Sequence, residues 1–271
     1  MSQFLRRMRK DPYLLTGTIL TGFICLLVLW GLICSPYDPT EMDATARLAG
    51  ASSAHLLGTD HLGRDVLSRI LYATRVTLWI ALGTVGVGAG CGTILGALTG
   101  YYGGLLDETL MRIIDVLFAF PSILLALVFV SLFGTGTSQV VLALGIAFIP
   151  SFARVVRGEF LRCLVQPYVE VARLQGVKHM RIIFVHILPN ILPMLFSSIL
   201  IGFNNAVLAE AGLSFLGIGS QPPYSSLGRM LSESQAYLFN RPGMVLAVGF
   251  VIVVMNLGFA FLGEGIKRWA K

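Results

Sequence analysis

Four side chains between positions 55 and 65, His55, Asp60, His61 and Asp65, are of the types that ligate divalent cations. Their spacing matches no metal-ligand pattern, so hydrogen bonding and ion pairing are expected of them, not a metal centre. Cys25, Cys34, Cys91 and Cys163 show no C-x-x-C spacing and read as small hydrophobes, outside any disulfide framework. The chain contains no G-x-x-x-x-G-K-[ST], G-x-S-x-G or H-E-x-x-H. Neither catalysis nor a cofactor is therefore expected, and the chain has no P-loop of its own. What remains is polar chemistry in apolar surroundings. Asn190, Asn204 and Asn205 interrupt one long hydrophobic run, with Pro189 and Pro193 near its start. Amides in hydrocarbon are costly unless they face other helices or water. Asn204 and Asn205 are thus candidate pore-lining groups, with interhelical bonding as the alternative. Asn256, in a later run, reads as interhelical.

A second polar group is the basic island Tyr168 to Pro193, set between apolar runs. Pro167 suits the first turn of a helix. Val169, Ala172 and Leu174 then mark a short helix, with Glu170 and Arg173 spaced to pair across one turn. Gly176 falls where that helix would end, because glycine enters the left-handed region without a Cβ penalty. A further short segment, 178–184, leads to Pro189. The island reads as a helix–turn–helix knob at a membrane surface.

Elements long enough to hold these groups follow from composition. The 271 residues are 55% hydrophobic and only 13% charged, against about 25% charged in soluble domains. This is an all-α polytopic membrane protein. A span needs about 20 apolar residues, and six runs qualify: 14–34, 76–100, 116–133, 137–153, 187–209 and 243–263. The fourth is short and carries Pro150. The first, at 21 residues, exceeds a signal-peptide core and is read as a retained span.

With six spans and a cytoplasmic N-terminus, 14 of the 20 lysines and arginines face inward, at both termini, at Arg112 and in and beside the knob. The net charge of +6 thus reads as an orientation signal, not a nucleic-acid surface. Phe4, Leu5 and Met8 share one face of the basic N-terminal segment, which suits a helix along the inner headgroups or a frayed tail.

Between spans, an outer loop fills 35–75 and turns amphipathic from Leu62. Thr59 or Asp60 is the expected cap there, and Asp65 is spaced to pair with Arg69. Gly88, Gly92, Gly96 and Gly100 form one stripe, suited to close helix packing or to a flexible gate. Residues 101–115 read as a short inner turn, and Pro121 implies a kink in the third span. A second outer loop is expected over 210–242. The organisation expected is an N-terminal segment, first span and outer loop at 1–75, a core at 76–265 and a short tail at 266–271.

Several strings resemble one family. Glu170, Ala172 and Gly176, followed by Ile187-Leu188-Pro189, resemble the EAA loop of ABC-importer permeases, with Val171 where the family usually has alanine. LGTDHLGRDVLSR at 57–69 and AGLSFLGIGSQPP at 211–223 resemble the dipeptide/oligopeptide/nickel branch. The terminal NLGFAFLGEGIKRWAK resembles the family's last stretch, with Glu264 where an aspartate is usual.

The resemblance implies the smaller, C-type permease subunit, with a type I ABC-importer permease fold of six spans and both termini cytoplasmic. It implies a coupling loop at 167–190 in which Glu170, Ala172, Gly176 and Pro189 meet an ATPase. The implied partners are a homologous second permease, two ATP-binding subunits and an external solute-binding protein, in the cytoplasmic (inner) membrane of a prokaryote. Dipeptides, oligopeptides, nickel and metal chelates remain open as cargo. The residues alone leave a second class open, a self-sufficient secondary carrier or channel. That class needs a midplane ion site, and no central Asp or Glu is found in the six runs.

Overall fold

A computed structural model describes residues 11–269. The segment at 1–10, expected as a membrane-surface helix or a frayed tail, and the last two residues of the chain lie outside them. The described chain is helical, with α1 Pro12–Ile33, α2 Val66–Tyr102, α3 Gly104–Phe118, α4 Ser122–Phe133 and α5 Thr137–Leu164. α6 Pro167–Leu174, α7 His179–Phe215, α8 Leu227–Gln235 and α9 Pro242–Trp269 complete it.

Five of these are long and apolar enough to cross a membrane. α3 and α4 pass the same test only together and meet at 93°, which makes the count six where this bent pair is taken as one span. Pro121 stands at the break, where its missing N–H and restricted predecessor end a helix. The expected inner turn at 101–115 is therefore mostly helix. Only Gly103 and Gly104, at φ +63° and +60°, form the turn, a left-handed pair that disfavours any side chain.

α2 is one 37-residue helix, about 55 Å long. The amphipathic outer segment and the second span are continuous, and the division expected at 75/76 falls inside the helix. Its cap is neither Thr59 nor Asp60 but Asp65, whose carboxylate accepts from the Ser68 backbone N–H at 2.8 Å.

Packing of α2 on α5 explains the glycine stripe. A Cβ at Gly92 would lie 2.5 Å from the Phe152 Cβ, and one at Gly96 would lie 2.5 Å from the Ala153 carbonyl oxygen. One at Gly100 would come within 2.7 Å of the Phe160 Cβ. The stripe lets two backbones touch, and any side chain there would force them apart. α1 seats on α9 in the same way, with Gly17 against Leu262, Gly258 against Thr21 and Gly265 against Leu14.

Two buried clusters result. The larger joins α1, α2, α4, α5, α7, α8 and α9. The smaller sits at the far end of α2 and α5, around Tyr101, Phe160, Cys163, Val169, Ala172 and Ile182. It is this second core that holds the basic island.

Candidate functional site

α6 has eight residues, too few to persist alone. Pro167 starts it, and Val169 and Ala172, 0% and 5% exposed, pin one face into the smaller core. Gly176 ends it at φ +71°. The Val177 N–H reaches back to the Ala172 carbonyl and the Gly176 N–H to the Arg173 carbonyl, both at 3.0 Å. That pair of bonds is the Schellman closure, which satisfies carbonyls a helix end would otherwise orphan.

A second strut comes from α2. The Tyr101 hydroxyl and His179 Nδ1 are 2.7 Å apart, and the Arg173 guanidinium lies 5.6 Å from the Tyr101 ring. Arg173 is turned to that ring, so the expected pairing with Glu170 is not made; Glu170 has no ion pair among the described residues. The outward face of the knob is Glu170, Gln175 and three apolar residues, Val165, Val171 and Leu174, which are 81%, 50% and 82% exposed. The added bulk of Val171 points outward and strains nothing in the core.

Beyond the knob, α7 opens with a π-turn over Ile182–Ile187. There the Leu188 N–H reaches the Ile183 carbonyl, five residues back. Pro189 follows at the restart of the regular helix, where its missing N–H costs least. Glu170, Ala172 and Gly176 thus share one small body, while Pro189 sits at its exit into the membrane.

A cavity of about 620 Å³ lies between α4, α5 and the middle of α7. Ser122, Ser151, Ser198 and Asn205 supply its polar groups, and Phe152, Met194 and Leu208 much of its apolar wall. The two candidate pore-lining amides divide here. Asn205 faces the cavity. Asn204 turns to α9 and, with its amide oriented to satisfy both neighbours, bonds the Asn256 carbonyl and the Ala260 N–H at 3.1 Å each.

The family model for the binding-protein-dependent transport system inner membrane component matches residues 92–271, which contain both the knob and the cavity. The chain belongs to that family. This permease is 36% identical to dipeptide transport system permease protein DppC of Alkalihalophilus pseudofirmus, over 97% of its own length and 86% of the relative's. It is 40% identical to glutathione transport system permease protein GsiD of Pectobacterium atrosepticum, over 98% of its length and 88% of the relative's. Among solved structures it superposes on the inward-facing MetNI methionine ABC transporter with a TM-score of 0.57. That match covers 74% of the permease and 96% of the other chain at 21% identity, a likeness of fold. The fold is that of a type I ABC-importer permease, a multi-pass inner-membrane component.

Three polar features of the permease escape a reading of its sequence. Asp107 on α3 takes the Arg157 guanidinium through both carboxylate oxygens at 2.6 Å, fixing α3 to α5 just above the knob.

The outer loop is the second. Asp60 and Arg69 are ion-paired and 1% and 4% exposed in their side chains, and Arg64 closes on Asp60 at 2.7 Å. Glu233 of α8 joins them at 2.9 Å from Arg69 and 3.0 Å from Arg229. Asp65 is taken by His55 at 3.0 Å, so the expected Asp65–Arg69 pair gives way to partners far along the chain. His61 stacks on Tyr237, so the four metal-type side chains do not converge. Burial pushes the Asp60 carboxyl up, but Arg69, Arg64 and the Arg64 and Leu62 N–H groups outweigh it and hold it below its ordinary value. Burial likewise raises Glu233, and the Arg69 and Arg229 bonds with nearby Arg64 bring it below its own.

The third is Glu210, expected at the start of an outer loop. α7 continues to Phe215 and buries it completely. Ser214 Oγ donates to its Oε1 at 2.6 Å, and its Oε2 has no partner among the described residues. It lies near the outer end of α7, beside Ser214, so the outer loop expected from residue 210 begins only after Phe215.

Proposed function

We propose that the permease is one transmembrane half of an ATP-driven importer of short peptides. The observation that carries this reading is the knob: a small body on its own apolar core that exposes Val165, Val171 and Leu174 beside Glu170, with no partner for them among the described residues. Such a face is what an ATP-binding subunit requires, with Gly176 shaping the turn and Glu170 at the rim. ATP hydrolysis then resides on two separate ATP-binding subunits. The cavity is walled by α4, α5 and α7 alone, and a homologous second permease supplies its other side. An external solute-binding protein delivers cargo to the outer cap. Both termini and the 167–190 loop face the cytoplasm, and 76–265 is the transporting core.

The cavity lining supports a peptide over a bare metal ion. It offers hydroxyls and an amide and no His, Cys, Asp or Glu. Neutral donors and acceptors match peptide groups without leaving a charge unpaired. The names of the relatives, dipeptide and glutathione permeases, point the same way.

Uptake in cells lacking the chain tests this, with dipeptides, glutathione and nickel supplied side by side. Loss of peptide uptake is expected, and loss of nickel uptake alone overturns the peptide assignment. Asn205→Leu is expected to lower uptake in an assembled complex. A permease that purifies alone and transports in vesicles without ATP would establish the carrier class instead.

A further inference from the structure

A second groove, of about 550 Å³, lies on a different face and shares no lining residue with the transport cavity. It is bounded by α1, α2, the first residue of α5 and Tyr224 of the loop before α8. Arg75 stands at its mouth, exposed and in no ion pair among the described residues. Tyr72 and Tyr224 stack at 5.7 Å along one side. Trp79, 68% exposed, with Val28 and Leu82, makes the other side apolar.

The height of the groove is set by its elements. Arg75 immediately precedes the apolar run 76–100, Thr137 opens α5, and Val28 lies in the last turns of α1. All three mark the same boundary of the hydrocarbon, the one below the ion-paired cap. Tyrosine and tryptophan prefer that level, because each has one end that wants water and one that does not. A cation without a counter-charge, above an apolar slot open to the side, is complementary to an amphiphile with an anionic head.

We propose that this groove binds an anionic phospholipid of the outer leaflet. Its phosphate sits on the Arg75 guanidinium, which presents paired donors to phosphate oxygens. The Trp79 indole N–H and the tyrosine hydroxyls are further donors at the same level. One acyl chain lies along Val28 and Leu82. Free phosphate satisfies only the first contact, so it does not occupy the groove.

Native mass spectrometry of the full chain, purified from membranes with its bound subunits, tests the assignment. Wild-type protein is expected to retain phosphatidylglycerol about fivefold better than Arg75→Gln, the effect of one basic group at a membrane surface. Arg75→Lys retains it, since a point charge still attracts the headgroup. Leu82→Trp fills the slot while leaving the arginine, and it too releases the lipid. Each variant is compared at an unchanged thermal midpoint, and where a variant's midpoint falls, lipid competition on the wild-type protein decides instead. Equal retention by wild type and Arg75→Gln overturns the proposal. So does displacement by inorganic phosphate, which marks a simple anion site, or equal retention of phosphatidylcholine, which shows that net charge is not read. A cysteine at Leu82 that cross-links to another protein chain in membranes overturns it as well.

Discussion

The outer cap and the inner knob are both small polar bodies at the ends of the same helices, yet they are held together in opposite ways. In the cap the charges are satisfied within the chain: buried Asp60, Arg64 and Arg69 and half-buried Glu233 pair across 164 positions of sequence. In the knob the interior is apolar, built on Val169, Ala172, Phe160 and Ile182, and the charged Glu170 is left at the rim. A body whose charges are matched internally is finished, and its shape serves as a fixed platform. One that hides its hydrophobic groups inside and leaves others exposed outside is shaped for contact with another chain.

The sharpest way to break this contrast is to open the cap. Arg69→Met removes one of the two cations that Asp60 and Glu233 share, leaving Arg64 on both, and the cost should approach that of breaking a buried pair, about 3–5 kcal/mol. We expect a large fall in thermal midpoint and rapid proteolysis of the 35–65 loop. An unchanged midpoint would show that the cap does not depend on its ion pairs.

Acid probes the same network without mutation. Because the folded values of Asp60 and Glu233 lie below their ordinary 3.8 and 4.5, their contribution is complete at neutral pH. It fades only as pH falls through those depressed values. Protease resistance of the outer loop should therefore hold from neutral pH down to about 4.5 and fail well below it. Loss near neutral pH would contradict the sign.

At the knob, Gly176 is the most sensitive point. A Cβ there meets nothing within 4 Å, so the penalty is conformational, about 1–2 kcal/mol for an ordinary side chain at positive φ. Gly176→Asp adds a carboxylate to be desolvated on docking. It is expected to insert normally and lose co-purifying ATP-binding subunits. Gly176→Asn, which tolerates the left-handed region, should keep most of them. If both behave alike, backbone shape is not what the knob supplies.

The smallest effect belongs to Glu170→Gln. With no ion pair to lose among the described residues, its effect on stability should stay within about 0.5 kcal/mol. ATP-dependent uptake should fall only mildly. A fall as deep as that of Gly176→Asp would move the function of the knob from its shape to its charge.

What could be read in the sequence was whatever is local. The apolar runs appear as helices near their expected places, because span length is a one-dimensional constraint. Gly176 was legible because a helix stop and a left-handed residue coincide there. The glycine stripe announced close packing, though not that Phe152 and Ala153 would fill it. Non-local choices were out of reach. Arg69 has Asp65 at the ideal spacing and still turns to Asp60 and to Glu233, which no helical pattern links to it. α3 was hidden because charges at 107, 108, 112 and 115 resemble a turn until Asp107 and Asp115 are seen against Arg157 and Arg154 of α5. Glu210 looked like a loop residue because carboxylates rarely enter a core, and here the Ser214 and Ser226 hydroxyls make that tolerable.

α5 carries one further consequence. Phe152 stands in the cavity wall, and Phe160 and Cys163 stand in the core of the knob, on the same unbroken helix. Eight residues of helix are about 12 Å of stiff rod. α5 therefore joins the knob to the cavity wall directly, with no loop between them. Pro150 lies on the far side of Phe152, where the helix is easiest to bend. Gly92 and Gly96 clamp α2 to the rod so closely that neither can slide. The movement expected of such a pair is a tilt of both helices together, pivoting where the proline interrupts the ladder.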